Sequence, residues 1–310
     1  MLRVAESVLD LIGQTPLLRL GSIEPAGGAQ IWAKLEYLNP GGSVKDRAAL
    51  GMVIAAETEG RLRAESTIVE PTAGNTGIGL ALIGRQRGYR VILVVPANFS
   101  REKMTVMQAL GGELVVTPQQ DGMTGAIARA HDLAAEIPGA VVLQQFENPS
   151  NPQYHCDTTA VELWEQTQGR VDAIVIGAGT GGTWTGVVRH FRAKGSKARA
   201  VLVQPQGSIW AGGPAGPHRV EGIGGSFWPG TLERTLIDEV ITVPDEPAFA
   251  MTRRLARECG VLCGGSSGAA AHACVEVAGR LPSSARVVSV LADGAERYMS
   301  KGIYDGGDTR

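Results

Sequence analysis

The feature that most constrains the fold is the alternation of apolar, β-branched runs with helical patterns along almost the whole chain. Runs such as VILVV and VDAIVI are apolar at nearly every position, which is typical of strands covered on both faces. Such strands, separated by helices, predict parallel sheets with right-handed crossovers and hence an α/β fold. Strands are predicted at residues 31–37, 66–70, 89–95, 112–117, 140–146, 171–176, 199–204, 238–243 and 286–291. Helices are predicted at residues 44–60, 76–87, 100–110, 123–137, 152–167, 182–194, 246–259 and 267–280.

Two irregular segments interrupt this alternation. The Pro- and Asn-rich stretch FENPSNP, residues 146–152, is a candidate seam between two βα series. Residues 205–230 contain too much Gly and Pro for regular structure, and a loop of this length in a compact domain is usually functional. The 310 residues are enough for one large domain or two.

Charge and composition exclude several classes of partner. The net charge of −2 argues against nucleic acid or an anionic membrane as a partner, and no apolar run is long enough for a membrane span. The N-terminal residues lack the apolar core of a signal peptide, so a cytoplasmic location is expected. The four cysteines lack the spacing of a disulfide or metal framework, so reduced thiols and no metal site are expected.

The stretch GAGTGGT, residues 177–183, follows a predicted strand and opens a predicted helix. Its glycines Gly177, Gly179 and Gly182 satisfy the pattern G-x-G-x-x-G, in which backbone N–H groups and the helix dipole attract an anion. This indicates a phosphate site, with a tight turn that binds nothing as the alternative. A dinucleotide site would also need an acid at the end of the next strand, but Gln204 stands there. A lone phosphate is therefore favoured over NAD.

A second Gly-rich loop, PTAGNTG, follows the predicted strand at residues 66–70. Thr72, Asn75 and Thr76 present side-chain donors at a helix start, an arrangement that suits a carboxylate. Ordinary helix capping by Thr or Asn is an equally good explanation of this loop taken alone.

A third loop, CGGSSGA, contains the pattern G-x-S-x-G around Ser266. A hydrolase nucleophile in this pattern needs an acid and then a histidine further along the chain. Here His272 precedes Asp293, so the order is wrong. Ser266 is better interpreted as a hydrogen-bonding hydroxyl at a helix start, with simple N-capping as the alternative.

Lys45 lies where the loop NPGGSV turns into a helix. A cation is unfavourable there, because the N-terminal end of the helix dipole is already positive. The dipole and burial would both lower the pKa of a lysine, as Schiff-base chemistry requires. The alternative is a surface lysine paired with Asp46. No role is assigned to His131, His155, His190 or His218.

A reactive lysine, a carboxylate loop, a phosphate loop and a serine hydroxyl together resemble the fold-type II pyridoxal-phosphate (PLP) enzymes, specifically the cysteine synthase/cystathionine β-synthase family. The resemblance is carried by LIGQTPL, NPGGSVKDR, PTAGNTG, QQFENPSNP, GAGTGGT and GGSSGA, between residues 11 and 304. It implies two α/β domains, each with a mostly parallel twisted sheet flanked by helices, and an active site in the cleft between them. The smaller domain would comprise residues 1–16 and 39–148, and the larger one residues 17–38 and 149–310.

The resemblance also implies roles for individual residues. Lys45 would form the internal aldimine with PLP, Asn75 would contact the cofactor's 3′-oxygen, and Ser266 would face the pyridine nitrogen. The phosphate loop would comprise Gly179, Thr180, Gly181, Gly182 and Thr183. The substrate would contact Thr72, Ala73, Gly74, Asn75, Thr76, Gln145, Glu221 and Gly222.

The implied reaction is β-replacement on O-acetyl-L-serine, or L-serine, by a thiol through an α-aminoacrylate, with Lys45 as general base. Cysteine synthases commonly carry serine and glutamine where this chain has Ala73 and Glu221. Both differences look like the bacterial members that use homocysteine to make L-cystathionine. The alternative is a cysteine synthase that uses sulfide. The competing classes are a nicotinamide-dependent oxidoreductase and a non-catalytic binding module. A homodimer is expected from the resemblance, and serine acetyltransferase is a possible partner.

Overall fold

The computed structural model describes residues 4–72, 74–97 and 99–305. Within them the strands are β1 (Leu17–Arg19), β2 (Gln30–Leu35), β3 (Thr67–Pro71), β4 (Arg90–Pro96), β5 (Glu113–Thr117), β6 (Ala140–Val142), β7 (Ala173–Gly177), β8 (Arg199–Pro205), β9 (Glu239–Val243) and β10 (Arg286–Leu291). The α-helices are α1 (Lys45–Thr58), α2 (Asn75–Gln86), α3 (Arg101–Ala109), α4 (Gly122–Glu136), α5 (Ser150–Asp157), α6 (Thr159–Thr167), α7 (Gly182–Ala193), α8 (Asp245–Cys259) and α9 (Gly265–Ala278).

The strands form two sheets. One has six strands in the order β1-β2-β10-β7-β8-β9, and the other has four in the order β5-β4-β3-β6. Every pairing is parallel except that of β1 with β2, where Leu17 lies opposite Lys34. The prediction of an α/β fold with two mostly parallel sheets flanked by helices is confirmed. We propose that each sheet is the core of one domain, with the boundaries expected from the sequence.

The apolar strands are explained by burial on both faces. Along β7, Ala173 and Val175 belong to one buried cluster, whereas Ile174 and Ile176 belong to another on the opposite face. Because successive side chains of a strand point to opposite faces, a sheet covered by helices on both sides needs an apolar residue at each position. Because this burial fixes the parallel strands in each sheet, their carboxyl ends lie together at one edge of that sheet.

Three differences between the structure and the predicted elements exceed a shift of one or two residues at an end. β1 was not predicted, since three residues at a sheet edge leave no periodic pattern. The predicted strand at residues 140–146 ends at Val142, because Gln144 adopts a φ of +59° and the loop turns away from the sheet. The predicted helix at residues 152–167 is two helices, since Thr158 leaves the helical conformation at φ −126°.

A buried ion-pair network fixes the start of α1. Arg47 donates hydrogen bonds to Glu36, at 2.8 and 2.9 Å, and to Glu162 on α6, at 2.7 and 2.8 Å. Burial raises the pKa of Glu162, but Arg47 and Lys34 outweigh it and hold that pKa at about 2. Removing one partner would leave an unpaired buried charge, so the network holds α1 against β2 and α6.

No helix in the described part of the chain is long and apolar enough to cross a membrane. Among the same residues, no cluster of three or more His, Cys, Asp or Glu side chains is placed to hold a metal ion.

Candidate active site

A cavity of about 370 Å³ lies where segments that follow β3, β7 and β10 meet. This is the carboxyl edge of strands from both sheets, the usual ligand position in α/β folds. A smaller adjoining cavity shares part of its wall. Predicted site residues that line one or both cavities are Lys45, Thr72, Gly74, Asn75, Thr76, Gln145, Gly179, Thr180, Gly181, Thr183, Glu221, Gly222 and Ser266. Gly182 is buried as the first residue of α7, and Ala73 is outside the described residues.

Lys45 is the first residue of α1, and its side chain is partly buried beside both cavities. Its amine has no hydrogen-bond or ion-pair partner within residues 4–72, 74–97 and 99–305. Burial lowers the pKa of the amine, opposed by the negative charges of Asp293 and Glu36. The alternative of a surface pair with Asp46 is wrong, because the Asp46 carboxyl group is buried and accepts a hydrogen bond from the Gly41 N–H at 2.6 Å.

The loop before α7 presents free backbone donors. Gly181 is the N-cap residue at φ +86°, a conformation that favours glycine. The N–H groups of Gly179, Thr180 and Gly181 find no protein acceptor in the part of the chain that the structure describes. With the helix dipole behind them, these groups are placed where an anion would be favoured.

Close packing explains why the loop consists of glycines. A Cβ at Gly179 would lie 2.4 Å from the carbonyl oxygen of Gly222, and one at Gly182 would lie 2.0 Å from Oδ1 of Asn151. Asn151 also donates a hydrogen bond to Oγ1 of Thr180 at 3.2 Å. The glycines therefore bring α7 against its neighbours and leave the loop amides directed at the cavity.

His155 supports this loop, although no pattern in the sequence assigns it a role. Its Nε2 lies 3.1 Å from Oγ1 of Thr183, and its Nδ1 lies 2.8 Å from Oγ1 of Thr159. Burial holds the pKa of His155 well below its usual range, so the ring is neutral and can donate from one nitrogen and accept at the other. Thr183 is 28 residues away in sequence, and only the packing of α5 on α7 reveals the contact.

The loop before α2 uses its polar side chains in different ways. Thr72 accepts hydrogen bonds from the Gly77 N–H at 3.2 Å and the Gly74 N–H at 3.3 Å, and its own O–H has no acceptor among the described residues. Thr76 instead donates to Oε1 of Gln145 at 2.6 Å, which leaves the Gln145 amide N–H groups as donors beside the cavity. The buried carboxylate of Glu70 accepts three backbone N–H bonds from residues 143–145 and fixes Gln145 in place.

Ser266 is buried in the first turn of α9 and lines both cavities. The capping alternative is wrong, because the N-cap residue is Gly264 and Ser266 lies inside the helix. Its hydroxyl has no hydrogen-bond partner among the described side chains and backbone groups. It is therefore free to bond a ligand.

Glu221 belongs to a charged group at one end of the cavity. Its carboxylate lies 2.7 Å from Nζ of Lys103 and 3.4 Å from Nζ of Lys301. The Lys103 side chain is buried, with its ammonium group 4.5 Å from the ring centroid of Tyr298. Glu221 is a substrate contact predicted from the resemblance, whereas neither lysine stands out in the sequence.

A dinucleotide is not supported at this site. Gln204, at the end of β8, is buried and hydrogen-bonded to Thr242 and to the backbone N–H of Trp210. It is a packing residue and offers no carboxylate to a ribose.

The donor set fits a phosphorylated aldehyde with a ring nitrogen. A buried amine of lowered pKa suits Schiff-base formation, free amides at a helix start suit a phosphate, and a free hydroxyl suits the ring nitrogen. A family model described as "Pyridoxal-phosphate dependent enzyme" matches residues 8–293. The chain belongs to this family. Its cofactor is PLP, and the recognition made from the motifs is confirmed.

Curated relatives place the enzyme within the family more closely. It is 43% identical to the O-acetylserine dependent cystathionine beta-synthase of Bacillus subtilis strain 168, over 98% of this chain and 99% of that one. It is also 43% identical to the cysteine synthase of Staphylococcus aureus strain Mu50, over 96% and 97% of the two chains. This PLP-dependent enzyme is thus of the cysteine synthase/cystathionine β-synthase group.

Solved structures support the same assignment. The O-acetylserine dependent cystathionine beta-synthase of Helicobacter pylori superposes with a TM-score of 0.94 at 41% identity, over 98% of this chain and all of that one. An O-ureido-L-serine synthase superposes with a TM-score of 0.95 at 39% identity, over 99% and 98% of the two chains. Relatives with different printed activities share the fold and the same level of identity, so overall similarity leaves the nucleophile open.

Proposed function

We propose that this enzyme replaces the β-acetoxy group of O-acetyl-L-serine with the thiol of homocysteine, giving L-cystathionine. The alternative nucleophile is sulfide, which would give L-cysteine, and the alternative first substrate is L-serine. Relatives with both kinds of name match at the same identity. The observation that carries the proposal is the group of charged side chains around Glu221.

This group is complementary to an amino-acid nucleophile. Glu221 and Lys103 line the cavity, and Lys301 pairs with the same carboxylate from outside the lining, so one carboxylate and two cations lie together here. A thiol-bearing amino acid carries a carboxylate for the lysines and an ammonium group for Glu221. Sulfide carries neither a carboxylate nor an ammonium group, so these charged side chains would not contribute to its binding.

Four elements would hold the cofactor. Lys45 would attach to its aldehyde carbon, the Gly179–Thr183 loop would bind its phosphate, Asn75 its 3′-oxygen, and Ser266 its ring nitrogen. The bound cofactor would supply an aldehyde for the substrate amino group and an electron sink for Cα. A neutral serine beside the ring nitrogen does not stabilise a protonated ring as a carboxylate would, which favours prompt β-elimination.

The chain's own residues then move one proton and hold one carboxylate. The Lys45 amine, with its lowered pKa and no competing partner in the described residues, takes the Cα proton and later returns it. Thr72, Asn75, Thr76 and Gln145 would grip the substrate carboxylate. Because Thr76 occupies Oε1 of Gln145, the amide N–H groups of Gln145 are the ones left to donate.

A homodimer, a possible complex with serine acetyltransferase and a cytoplasmic location remain predictions from the sequence. Size-exclusion chromatography with light scattering will decide the first of them.

Product analysis tests the proposed reaction. Incubation of the holoenzyme with O-acetylserine and homocysteine should yield L-cystathionine at a higher kcat/KM than L-cysteine is formed from O-acetylserine and sulfide. A preference for sulfide by orders of magnitude would overturn the assignment of homocysteine and leave the family chemistry intact.

Lys45→Ala tests the chemistry itself. We expect loss of covalent cofactor attachment and a fall in kcat of at least about 1,000-fold, because Lys103, the other lysine that lines the cavity in the described residues, is ion-paired with Glu221. Lys197→Ala, an exposed lysine, should behave like the wild type. Borohydride trapping of the cofactor on any residue other than Lys45 would disprove the mechanism.

Glu221→Gln separates the two nucleophiles. Loss of the carboxylate should lower kcat/KM for homocysteine by about tenfold, the equivalent of one charge-assisted hydrogen bond, and leave the sulfide reaction nearly unchanged. Glu246→Gln, which removes an exposed carboxylate paired with Arg219, is the control. An equal loss with both nucleophiles would assign Glu221 a structural role.

A further inference from the structure

Asn75, the first residue of α2, lies between two side chains that arrive from the segment after β10. Its Nδ2 donates to Oδ2 of Asp293 at 2.6 Å, and its Oδ1 accepts from Nη1 of Arg297 at 2.5 Å. Asp293 and Arg297 are both buried. These contacts span 218 and 222 residues of sequence.

The chemistry of the two neighbours permits only one orientation of the amide. A guanidinium has donors and no acceptor, so the atom facing Arg297 must be the amide oxygen. Oδ2 of Asp293 accepts from Asn75 and also from the Tyr298 hydroxyl, at 2.5 Å, so the atom facing it must carry hydrogen. A flipped amide would place N–H against N–H on one side and oxygen against oxygen on the other.

Arg297 is itself held in place. Its Nη2 donates to the carbonyl oxygen of Gly41, in the loop that leads to Lys45. A Cβ at Gly42 would lie 2.6 Å from the same nitrogen, so that glycine makes room for the guanidinium. One arginine thus ties the lysine loop to the start of α2.

The amide keeps one N–H without a partner among the described residues, and Asn75 lines the cavity beside Lys45. We infer that Arg297 and Asp293 are positioning residues, which lock the Asn75 amide so that this N–H, rather than the oxygen, faces the cofactor's 3′-oxygen. This rests on the proposed contact between Asn75 and that oxygen. The lock favours an ionised 3′-oxygen, because a donor stabilises an oxyanion and an amide oxygen repels it.

Arg297→Gln tests the inference in the resting holoenzyme. Glutamine presents either an oxygen or an N–H, so only Asp293 still specifies the amide orientation and the lock is weakened. At a fixed pH, the absorption bands of the ionised and protonated 3′-oxygen should change in ratio by about tenfold toward the protonated form, as for a shift of one pKa unit. Arg297→Lys, which can only donate, should restore most of the ratio.

Arg192→Gln is the matched control. Arg192 also makes several hydrogen bonds, to two carbonyls and to Asp238, but lies on α7 away from the cavity lining. Arg192→Gln should lower the melting temperature without changing the ratio of the two absorption bands. An unchanged ratio in Arg297→Gln, or an equal change in Arg192→Gln, would overturn the inference.

A measurement without cofactor separates this inference from the proposed function. In the apoenzyme, the Asn75 side-chain amide should give one pair of NMR signals, assigned by their loss in Asn75→Asp. Exchange broadening or a second pair should appear in Arg297→Gln but not in Arg297→Lys. Identical signals in the wild type and both Arg297 variants would overturn the lock. A protein with this NMR behaviour that takes up no PLP would instead disprove the proposed function.

Should Arg297→Gln fail to fold, Arg297→Lys and Asp293→Asn decide the matter. The Arg297→Lys variant should keep the wild-type band ratio and amide signals. In Asp293→Asn the introduced amide presents either an oxygen or an N–H, so this variant should shift the ratio toward the protonated form and broaden those signals. A wild-type ratio and wild-type signals in Asp293→Asn would overturn the inference.

Discussion

Several helices of this enzyme begin after a glycine-rich loop, and two of them, α1 and α7, use their first turns in opposite ways. Before α7, the N–H groups of Gly179, Thr180 and Gly181 have no acceptor in the described part of the protein. At α1 the first N–H groups are satisfied locally, that of Lys45 by Oγ of Ser43 at 3.2 Å and the next two by nearby carbonyls. The loop before α7 is therefore suited to an anion, whereas the loop before α1 presents an amine.

The comparison teaches that a Gly-rich loop at a helix start does not by itself bind an anion. What decides is whether the first amides are free, since the dipole acts through these unsatisfied N–H groups. At α1 the first N–H groups are hydrogen-bonded within the protein. The charged form of Lys45 is therefore disfavoured by burial and by what remains of the helix dipole. Burial lowers the pKa of Lys45 as its largest effect, in agreement with this view.

The largest expected effect comes from closing the anion site. In Gly181→Ala, a Cβ would lie 2.5 Å from Cβ of Leu232, at a backbone φ of +86°. We expect PLP affinity to fall by about 100-fold, because the loop must shift and its amides no longer converge. Equilibrium dialysis against PLP measures this.

Gly195→Ala is the control for that variant. Gly195 also has a positive φ, of +78°, but a Cβ there would meet nothing within 4 Å. It should cost about 1–2 kcal/mol of stability and leave PLP affinity unchanged. If Gly181→Ala and Gly195→Ala bound PLP with equal affinity, the free N–H groups before α7 would not be the element that binds the cofactor. The contrast between α7 and α1 would then be wrong.

An intermediate effect is expected from Asp46, in the first turn of α1. Burial raises the pKa of Asp46 from 3.8 to about 7. Because the folded pKa is the higher one, Asp46 stabilises the fold below pH 3.8, and this contribution is lost as the pH rises toward 7. Asp46→Asn cannot titrate but keeps an acceptor for the Gly41 N–H.

The free energy of unfolding of the wild type, relative to Asp46→Asn, should therefore fall by about 1.4 kcal/mol per pH unit between about pH 4 and 7. Urea unfolding at a series of pH values measures it. If the free energy of unfolding depended on pH in the same way in the wild type and in Asp46→Asn, Asp46 would be charged in the folded protein. The electrostatic contrast drawn between α1 and α7 would then be wrong.

The smallest expected effect concerns Ser43, two residues before α1. Ser43→Ala removes the acceptor of the Lys45 N–H and should cost about 1 kcal/mol of stability. It should also slow the attachment of PLP to Lys45 by about twofold to fivefold, because one lost hydrogen bond loosens the turn that carries the amine.

Ser196→Ala is the matched control, since Ser196 accepts from the Ala198 N–H at the same 3.2 Å and the same sequence spacing. Thermal unfolding should report a similar loss of stability in both variants, but only Ser43→Ala should slow cofactor attachment. Slowing in both would mean that the effect is one of global stability.

Most of the architecture could be predicted from the sequence, because strands buried on both faces must be apolar at each position. The places where prediction failed depend on other segments: β6 ends early because Glu70 draws in the backbone of residues 143–145, and α5 and α6 separate at Thr158. The sequence also predicted which loops lie at the cavity, since glycines and small polar residues at strand ends have few other uses.

The sequence by itself determined the α/β class, the phosphate-type loop and the candidate lysine, because each depends on residues adjacent in the chain. Only the tertiary structure decided which side chains support them. Asp293 and Arg297 reach Asn75 across 218 and 222 residues, and Lys103 reaches Glu221 across 118. The physical reason is that sequence spacing fixes neighbours within one helix or strand, whereas a side-chain hydrogen bond between segments depends on how the two sheets and their crossovers pack.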